Sequence, residues 1–228
     1  MMSVTEYWTA EQWQQAERAY LAERPGLRVQ LALKRLLDII LASLGMVGLL
    51  PVFALVAIAI CLDSPGPIFF IQERLGKLGQ PFPIYKFRTM VDGAVHLGTG
   101  LNTFEGDPRV TRIGKCLREY HLDELPQLWN VLRGEMSLVG PRPLLVACLS
   151  TYNNWEKRRL LVSPGITGWE AVKGGLLNPF DSRIALDVWY VDRWTLWLDL
   201  TILARTIQVV LNKEGVYGSN GSERSRGI

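Results

Sequence analysis

The residues best suited to chemistry are two adjacent carboxylates, Asp123 and Glu124, in the run Leu122-Asp123-Glu124-Leu125-Pro126-Gln127. Close behind comes Ser137-Leu138-Val139-Gly140-Pro141-Arg142-Pro143, where an arginine is held between two prolines. Proline is tolerated only in the first turn of a helix, so Pro126 predicts that Asp123 lies near a helix N-cap. There the helix dipole and free N–H groups favour the ionised carboxylate, the form that attack on phosphorus requires. Neighbouring helical residues point about 100° apart. The two acids can therefore address one site from different sides, one as nucleophile and the other holding a metal. Spacing alone leaves a plainer reading open and favours it: an ordinary aspartate N-cap beside a solvent-facing glutamate.

Four cations are candidates to meet a phosphate: Lys86, Arg88, Arg118 and Arg142. A guanidinium grips phosphate oxygens with two parallel hydrogen bonds. Taken singly, each is more often a solvated surface charge, except Arg142, whose Gly-Pro-Arg-Pro corner stiffens the backbone and pre-aims the fork. His96 and His121 are the only histidines; neither sits in a metalloprotease or triad pattern, and His121 reads as structural. Gly98-Thr99-Gly100 lacks the third glycine and preceding strand of a dinucleotide fingerprint, and no Walker A or nucleophile-elbow motif is present.

These groups need a scaffold, and its composition is unusual. Hydrophobic residues make up 48% of the 228, with a net charge of +3. That apolar balance points to a membrane-associated part, and the mild basic excess suits anionic lipid or an anionic substrate. No aromatic-plus-basic RNA motif or finger spacing argues for nucleic acid. Cys61, Cys116 and Cys148 are odd in number and far apart, which predicts small buried thiols in a reducing compartment rather than a disulfide or zinc site. The apolar stretch starts roughly thirty residues in, without a small-residue cleavage pattern, so no secretory signal is read.

Along the chain, Thr9-Ala10-Glu11-Gln12 has the form of a capping box, followed by Trp13, Ala16, Tyr20 and Leu21 at helical spacing and a stop at Arg24-Pro25-Gly26. This amphipathic helix suits either the membrane interface or packing on the domain. Residues 36–62 contain one charge, Asp38, and exceed the usual membrane threshold of about 18 apolar residues. A buried core helix is the bland alternative. Pro51, near the middle, must kink or break the helix. Arg28, Lys34 and Arg35 precede the segment, and Arg74, Lys77, Lys86 and Arg88 follow it. Lys and Arg mark cytoplasmic flanks, so the pattern fits a helix that enters, bends at Pro51 and returns to the same face; a kinked single span stays compatible with it. Lys34, Arg35 and Pro51 are thus the membrane-anchoring candidates.

Beyond the turn cluster Asp63-Ser64-Pro65-Gly66-Pro67, short strands near 68–71 and 82–87 predict a β-hairpin. Residues 91–106 read as a mobile Gly-rich loop. Leu125, Leu128, Trp129 and Leu132 mark a helix with a buried apolar face, ended by Gly134. Helices are further expected at 144–161 and 184–191. The apolar run 194–211 suggests an interfacial helix with tryptophans at headgroup depth. The tail 218–228 reads as disordered.

Taken in order, the motifs resemble those of the bacterial monotopic phosphoglycosyl transferases, often called bacterial sugar transferases. The matching pieces are Lys34-Arg35-x-x-Asp38; the run from Ser64-Pro65-Gly66-Pro67 through Gln72, Arg74 and Gly76; Lys86-Phe87-Arg88-Thr89-Met90; Leu122 to Gln127; Met136 to Pro143; Pro164-Gly165-Ile166-Thr167-Gly168-Trp169; and Asp187-Val188-Trp189-Tyr190. The resemblance spans residues 34–216 and is closest to the small, core-only members. It implies an α+β, mostly helical fold: a re-entrant membrane helix hairpin plus a cytosolic domain with a small β-hairpin and interfacial amphipathic helices. The implied divisions are an amphipathic extension (1–33), the re-entrant helix (34–62), the catalytic domain (63–217) and the tail.

The resemblance also implies a chemistry. Asp123 is the nucleophile and Glu124 helps bind Mg²⁺. A UDP-sugar yields a phosphosugar–aspartate intermediate and UMP, and polyprenyl phosphate, undecaprenyl phosphate in most bacteria, then takes the phosphosugar, starting surface-glycan assembly. Lys86, Arg88, Arg118, Arg142 and Asp187 are the substrate-binding candidates. The implied location is the cytosolic face of the inner membrane, among its lipids, upstream of further glycosyltransferases, with homodimerisation left open. Two departures stand out: the helix break is Leu50-Pro51 where Ser-Pro is frequent, and the run Glu170 to Gly175 lacks the usual glutamine and arginine, for which Lys173 is the replacement charge. Two other readings compete, a catalytically silent membrane scaffold and a membrane-bound metal-dependent phosphohydrolase.

Overall fold

The computed structural model describes residues 8–100, 103–213 and 215; the tail expected to be disordered lies outside them. Helix α1 (Ala10–Ala22) opens with the capping box the sequence predicts. The Thr9 hydroxyl accepts from the Gln12 N–H, and the Gln12 side chain accepts from the Thr9 N–H. Trp13 and Tyr20 bury its apolar side in the main core with Leu75, Tyr152 and Val191. Of the two readings of this helix, packing on the domain is the one observed.

Helices α2 (Leu27–Gly48) and α3 (Leu50–Asp63) meet at Leu49 with a 59° bend. The expected boundary at 33/34 therefore falls inside α2. Pro51 sits in the first turn of α3, where its missing N–H costs no hydrogen bond; the break comes just before it. No single helix among the described residues is long and apolar enough to cross a membrane, while the bent pair together meets that test. Its outer side exposes Leu36, Ile40, Leu44, Val47, Leu55 and Ile58. Asp38, the one charge in residues 36–62, is buried and accepts the Leu138 N–H at 3.0 Å.

Strands β1 (Phe69–Leu75) and β2 (Pro81–Phe87) form the expected antiparallel hairpin, with Phe70 opposite Lys86 and Arg74 opposite Phe82. Helix α4 (Arg112–Glu119) follows, and then α5 (Gln127–Arg133), which ends at Gly134 in the left-handed region (φ 86°). The fully buried Asn130 of α5 ties the hairpin down: its side chain accepts the Tyr85 N–H and donates to the Pro83 carbonyl. Trp129, expected on the buried face, is 49% exposed, and Val131 fills the core instead. Strands β3 (Ser137–Val139) and β4 (Gly165–Thr167) pair in parallel. The approach is so close that a Cβ on Gly165 would lie 2.0 Å from the Gly140 nitrogen.

The single helix expected over 144–161 is two short 3₁₀ segments, Val146–Thr151 and Glu156–Leu161. Asn153 interrupts them, because its side-chain oxygen takes the N–H groups of Trp155 and Glu156. Helices α6 (Phe180–Arg193) and α7 (Leu196–Asn212) close the fold. In the apolar run 194–211 the two tryptophans part company: Trp197 is 75% exposed, whereas Trp194 is buried and donates to Asp199. The loop expected to be mobile is held in its described part by Arg109, which pairs with Asp107 and donates to the carbonyls of Ala94, Leu97 and Gly100. The cysteines also differ from expectation. Only Cys148 is buried, while Cys61 and Cys116 are exposed, and none is in a disulfide.

Candidate active site

Asp123 and Glu124 lie in one 3₁₀ turn, Leu122–Glu124, entered through His121 in the left-handed conformation (φ 54°). Pro126, not Asp123, caps α5. The N-cap expectation fails because Pro126 sits outside the helix rather than in its first turn, which leaves the acids one turn further back. Both are buried, Asp123 at 9% exposure and Glu124 at 8%, so Glu124 does not face solvent.

The hairpin and the proline corner bring cations to these acids. Lys86 of β2 places Nζ 2.6 Å from Glu124 Oε1 and 3.9 Å from Asp123 Oδ2. Arg142 Nη2 lies 3.2 Å from the same Glu124 oxygen. A shallow cleft opens here, lined by Arg74, Ile84, Lys86, Glu124, Gln127 and Arg142 among others. The adjacent acids are driven in opposite directions. Burial, reinforced by the Glu124 charge, raises Asp123 above the usual carboxylate range against the pull of Lys86 and Arg118. Burial also opposes ionisation of Glu124, but Lys86 and Arg142 outweigh it and hold that carboxyl well below the usual range. The pair is thus one carboxyl made more acidic than usual and one made more basic.

Four of the sequence candidates, Asp123, Glu124, Lys86 and Arg142, are in direct ion-pair contact around this cleft. Arg118 stands next to them, its charge acting on Asp123 while Nε donates to Thr89 Oγ1 at 2.8 Å. Arg88 is not brought in. Its guanidinium is buried and donates to the carbonyls of Pro65, Ser64 and Ile60, which end α3. Gly66 (φ 120°) makes room for it, since a Cβ there would sit 2.3 Å from Nη1.

Asp187 lies behind Arg142 and is only 2% exposed. Arg159 donates to Asp187 Oδ2, to Tyr152 Oη and, at 2.6 Å, to the Arg142 carbonyl. Burial pushes Asp187 up to about 6 despite Arg159, which leaves it ionised at neutral pH. Arg159 thereby holds the proline corner from beneath. Lys34 and Arg35 are also turned inward rather than left free for headgroups. Lys34 bonds Asp199 at 2.5 Å and the Val139 carbonyl at 2.9 Å, and Arg35 donates to the carbonyls of Val131 and Leu132 at the end of α5. Lys173 stacks over Trp169, 4.8 Å from the ring centre.

Sequence reasoning missed three residues here. Arg74 and Gln127 line the cleft, and Arg159 supports it. Arg74 and Gln127 stand inside the matched motifs, but nothing in their spacing marks them as converging on Glu124.

A family model described as bacterial sugar transferase matches residues 29–213. EpsL of Bacillus subtilis (strain 168), an uncharacterized sugar transferase, is 44% identical over 189 residues, which cover 82% of this chain and 92% of that protein. The UDP-glucose:undecaprenyl-phosphate glucose-1-phosphate transferase of Xanthomonas campestris pv. campestris is 41% identical over 192 residues, 81% of this chain and 40% of that protein. The UDP-N-acetylgalactosamine-undecaprenyl-phosphate N-acetylgalactosaminephosphotransferase of Aeromonas hydrophila is 39% identical over 189 residues, 80% of this chain and 44% of that protein. The chain thus spans less than half the length of the latter two. By class it is an enzyme of the phosphoglycosyl transferase type. It belongs to the bacterial sugar transferase family.

Proposed function

We propose that the chain transfers a phosphosugar from a UDP-sugar to polyprenyl phosphate, undecaprenyl phosphate in most bacteria, through a covalent intermediate on Asp123. The observation that carries this reading is the split pair itself, a buried basic carboxylate beside an ionised one that two cations hold in place. The relatives' substrates, nucleoside-diphosphate sugars and undecaprenyl phosphate, supply the two partners.

In the first half-reaction Asp123 attacks the sugar-bearing phosphorus and UMP leaves; in the second, the lipid phosphate displaces the aspartate. Splitting the transfer lets one cleft serve a soluble and a lipid-borne substrate in turn. Lys86 and Arg142 offset charge on the transferring phosphoryl group. Among the described residues no cluster of three or more carboxylates, histidines or cysteines could cage a cation, and Mg²⁺ is held by as few as one or two carboxylates, its shell completed by substrate phosphates and water. Glu124 would help hold it, and it would supply further neutralisation of the diphosphate. The bent α2–α3 pair is the re-entrant element, and the outer side of α7, with Trp197, Leu200, Ile207 and Leu211 exposed, rests on the lipid surface of the inner leaflet. Relatives acting on glucose and on N-acetylgalactosamine are about equally similar to the chain, so similarity does not choose the sugar.

The test is Asp123→Asn assayed for UMP release from a panel of UDP-sugars with polyprenyl phosphate, alongside intact-mass analysis of the wild type during turnover. The expected results are loss of release in the variant and a sugar-phosphate mass increment on the wild type. Unchanged release, or turnover to water with no adduct, refutes the covalent reading. For topology, cysteines introduced on both flanks of the α2–α3 pair label from one face if the element is re-entrant, and from opposite faces if it spans.

A further inference from the structure

The cleft holds more positive charge than its acids occupy. Lys86 and Arg142 both close on Glu124 Oε1. Arg74 lines the same cleft yet pairs with no carboxylate among the described residues. Its Nη2 donates to Gln72 Oε1 at 2.6 Å, and its Nε is buried without a hydrogen-bond partner. Burial, with the nearby Arg142 charge, lowers its pKa to about 10, the mark of a cation lacking compensation. Leaving a buried donor unmade is costly, and a planar fork with free N–H groups complements a pair of phosphate oxygens.

The hairpin register shows where this donor acts. Residues directly opposite share a face and alternate residues return to it, so Phe70, Gln72 and Arg74 share one with Lys86, Ile84 and Phe82. Lys86 stands opposite Phe70, and the strand rises about 13 Å from there to Arg74. Asp123 lies beside Lys86, 3.9 Å from its Nζ, so Arg74 stands toward the other end of this hairpin face. In a phosphoryl transfer the attacking and leaving oxygens lie on opposite sides of phosphorus.

Resting on the function proposed above, we infer that Arg74 binds the phosphate that departs with the nucleoside in the first half-reaction. A bond forms between an Asp123 carboxylate oxygen and the sugar-bearing phosphorus. The bond from that phosphorus to the bridging oxygen breaks, and the oxygen keeps the electron pair as part of UMP. Arg74 receives the resulting charge, leaving Lys86 and Arg142 with the phosphoryl group that stays.

The experiment compares UMP and uridine binding to the full chain in detergent micelles, for wild type, Arg74→Lys and Arg74→Gln. The ratio of the two dissociation constants isolates the phosphate contact. Wild type is expected to prefer UMP. Arg74→Gln should cut that preference by about ten- to a hundredfold, the worth of a charge-assisted hydrogen bond, with uridine affinity unchanged. Arg74→Lys keeps charge but loses the fork, so it should retain only part of the preference, and it carries the test if the glutamine variant proves unstable. A wild-type ratio in the stable variants overturns the assignment while leaving the uridine-nucleotide donor intact. Failure of the wild type to bind either compound overturns the donor reading, and this inference with it.

Discussion

Replacing Asp199 separates a lysine that anchors to lipid from one that anchors to the protein. Asp199 of α7 takes three donors: Lys34 Nζ at 2.5 Å, Tyr190 Oη at 2.7 Å and Trp194 Nε1 at 3.1 Å. The ion pair is nearly dry, with side-chain exposures of 13% and 5%. Breaking a buried pair by removing one partner costs about 3–5 kcal/mol, because the survivor is left charged and unpaired. Asp199→Ala strands the Lys34 ammonium with only the Val139 carbonyl, so the cost should fall in that range. Asp199→Leu combined with Lys34→Met removes both charges and should recover much of it, since apolar replacement of a buried pair is often close to neutral. The assay is equilibrium unfolding in detergent micelles of the wild type, Asp199→Leu, Lys34→Met and their double variant, with Asp199→Ala alongside. The coupling should exceed about 2 kcal/mol, against about 0–1 for an exposed pair. A loss below about 1 kcal/mol in Asp199→Ala, with Lys34→Met weakening only vesicle association, would refute the internal anchor.

The acidic pair should respond to substitution with opposite signs. Asp123 has its folded pKa raised, so wild type loses stability as pH climbs above the unfolded value of about 3.9; Asp123→Asn should melt higher at neutral pH, the gain vanishing below about pH 4, and a lower melting point at pH 7 would refute this. Glu124 is depressed, its contribution present above the unfolded value of about 4.3 and lost on acidification; Glu124→Gln should therefore melt lower at neutral pH, with the gap closing in acid. Arg88→Met should destabilise the protein by several kcal/mol, since three carbonyls lose a charged donor, yet leave the UMP-to-uridine binding ratio as in wild type; a changed ratio would return Arg88 to the phosphate site. Gly165→Ala should give no folded protein by thermal scan, because its methyl would meet the Gly140 nitrogen at 2.0 Å.

What could be read ahead of the structure is what depends on near neighbours. The α1 capping box, the end of α1 just ahead of Arg24-Pro25-Gly26, the β1–β2 hairpin and the Gly134 cap rest on contacts within a few residues. So does the break beside Pro51, since the ring acts on its own helix. The acid pair and the proline corner were visible as motifs, with Lys86 and Arg142 named as candidates. The 3₁₀ segments over 144–161 were not, because apolar spacing cannot show that Asn153 spends its side chain on backbone N–H groups.

Residue type and order thus established the family, the candidate nucleophile and the bent apolar element. Tertiary packing alone decided which charges meet. It drew Arg88, Lys34 and Arg35 onto carbonyls and Asp199, set Arg159 beneath Arg142, and brought Arg74 into the cleft. A cation's role follows from the nearest oxygen atoms and from how much water has been removed. Those oxygens come from segments as far apart in sequence as Lys34 and Asp199, so no local pattern encodes them.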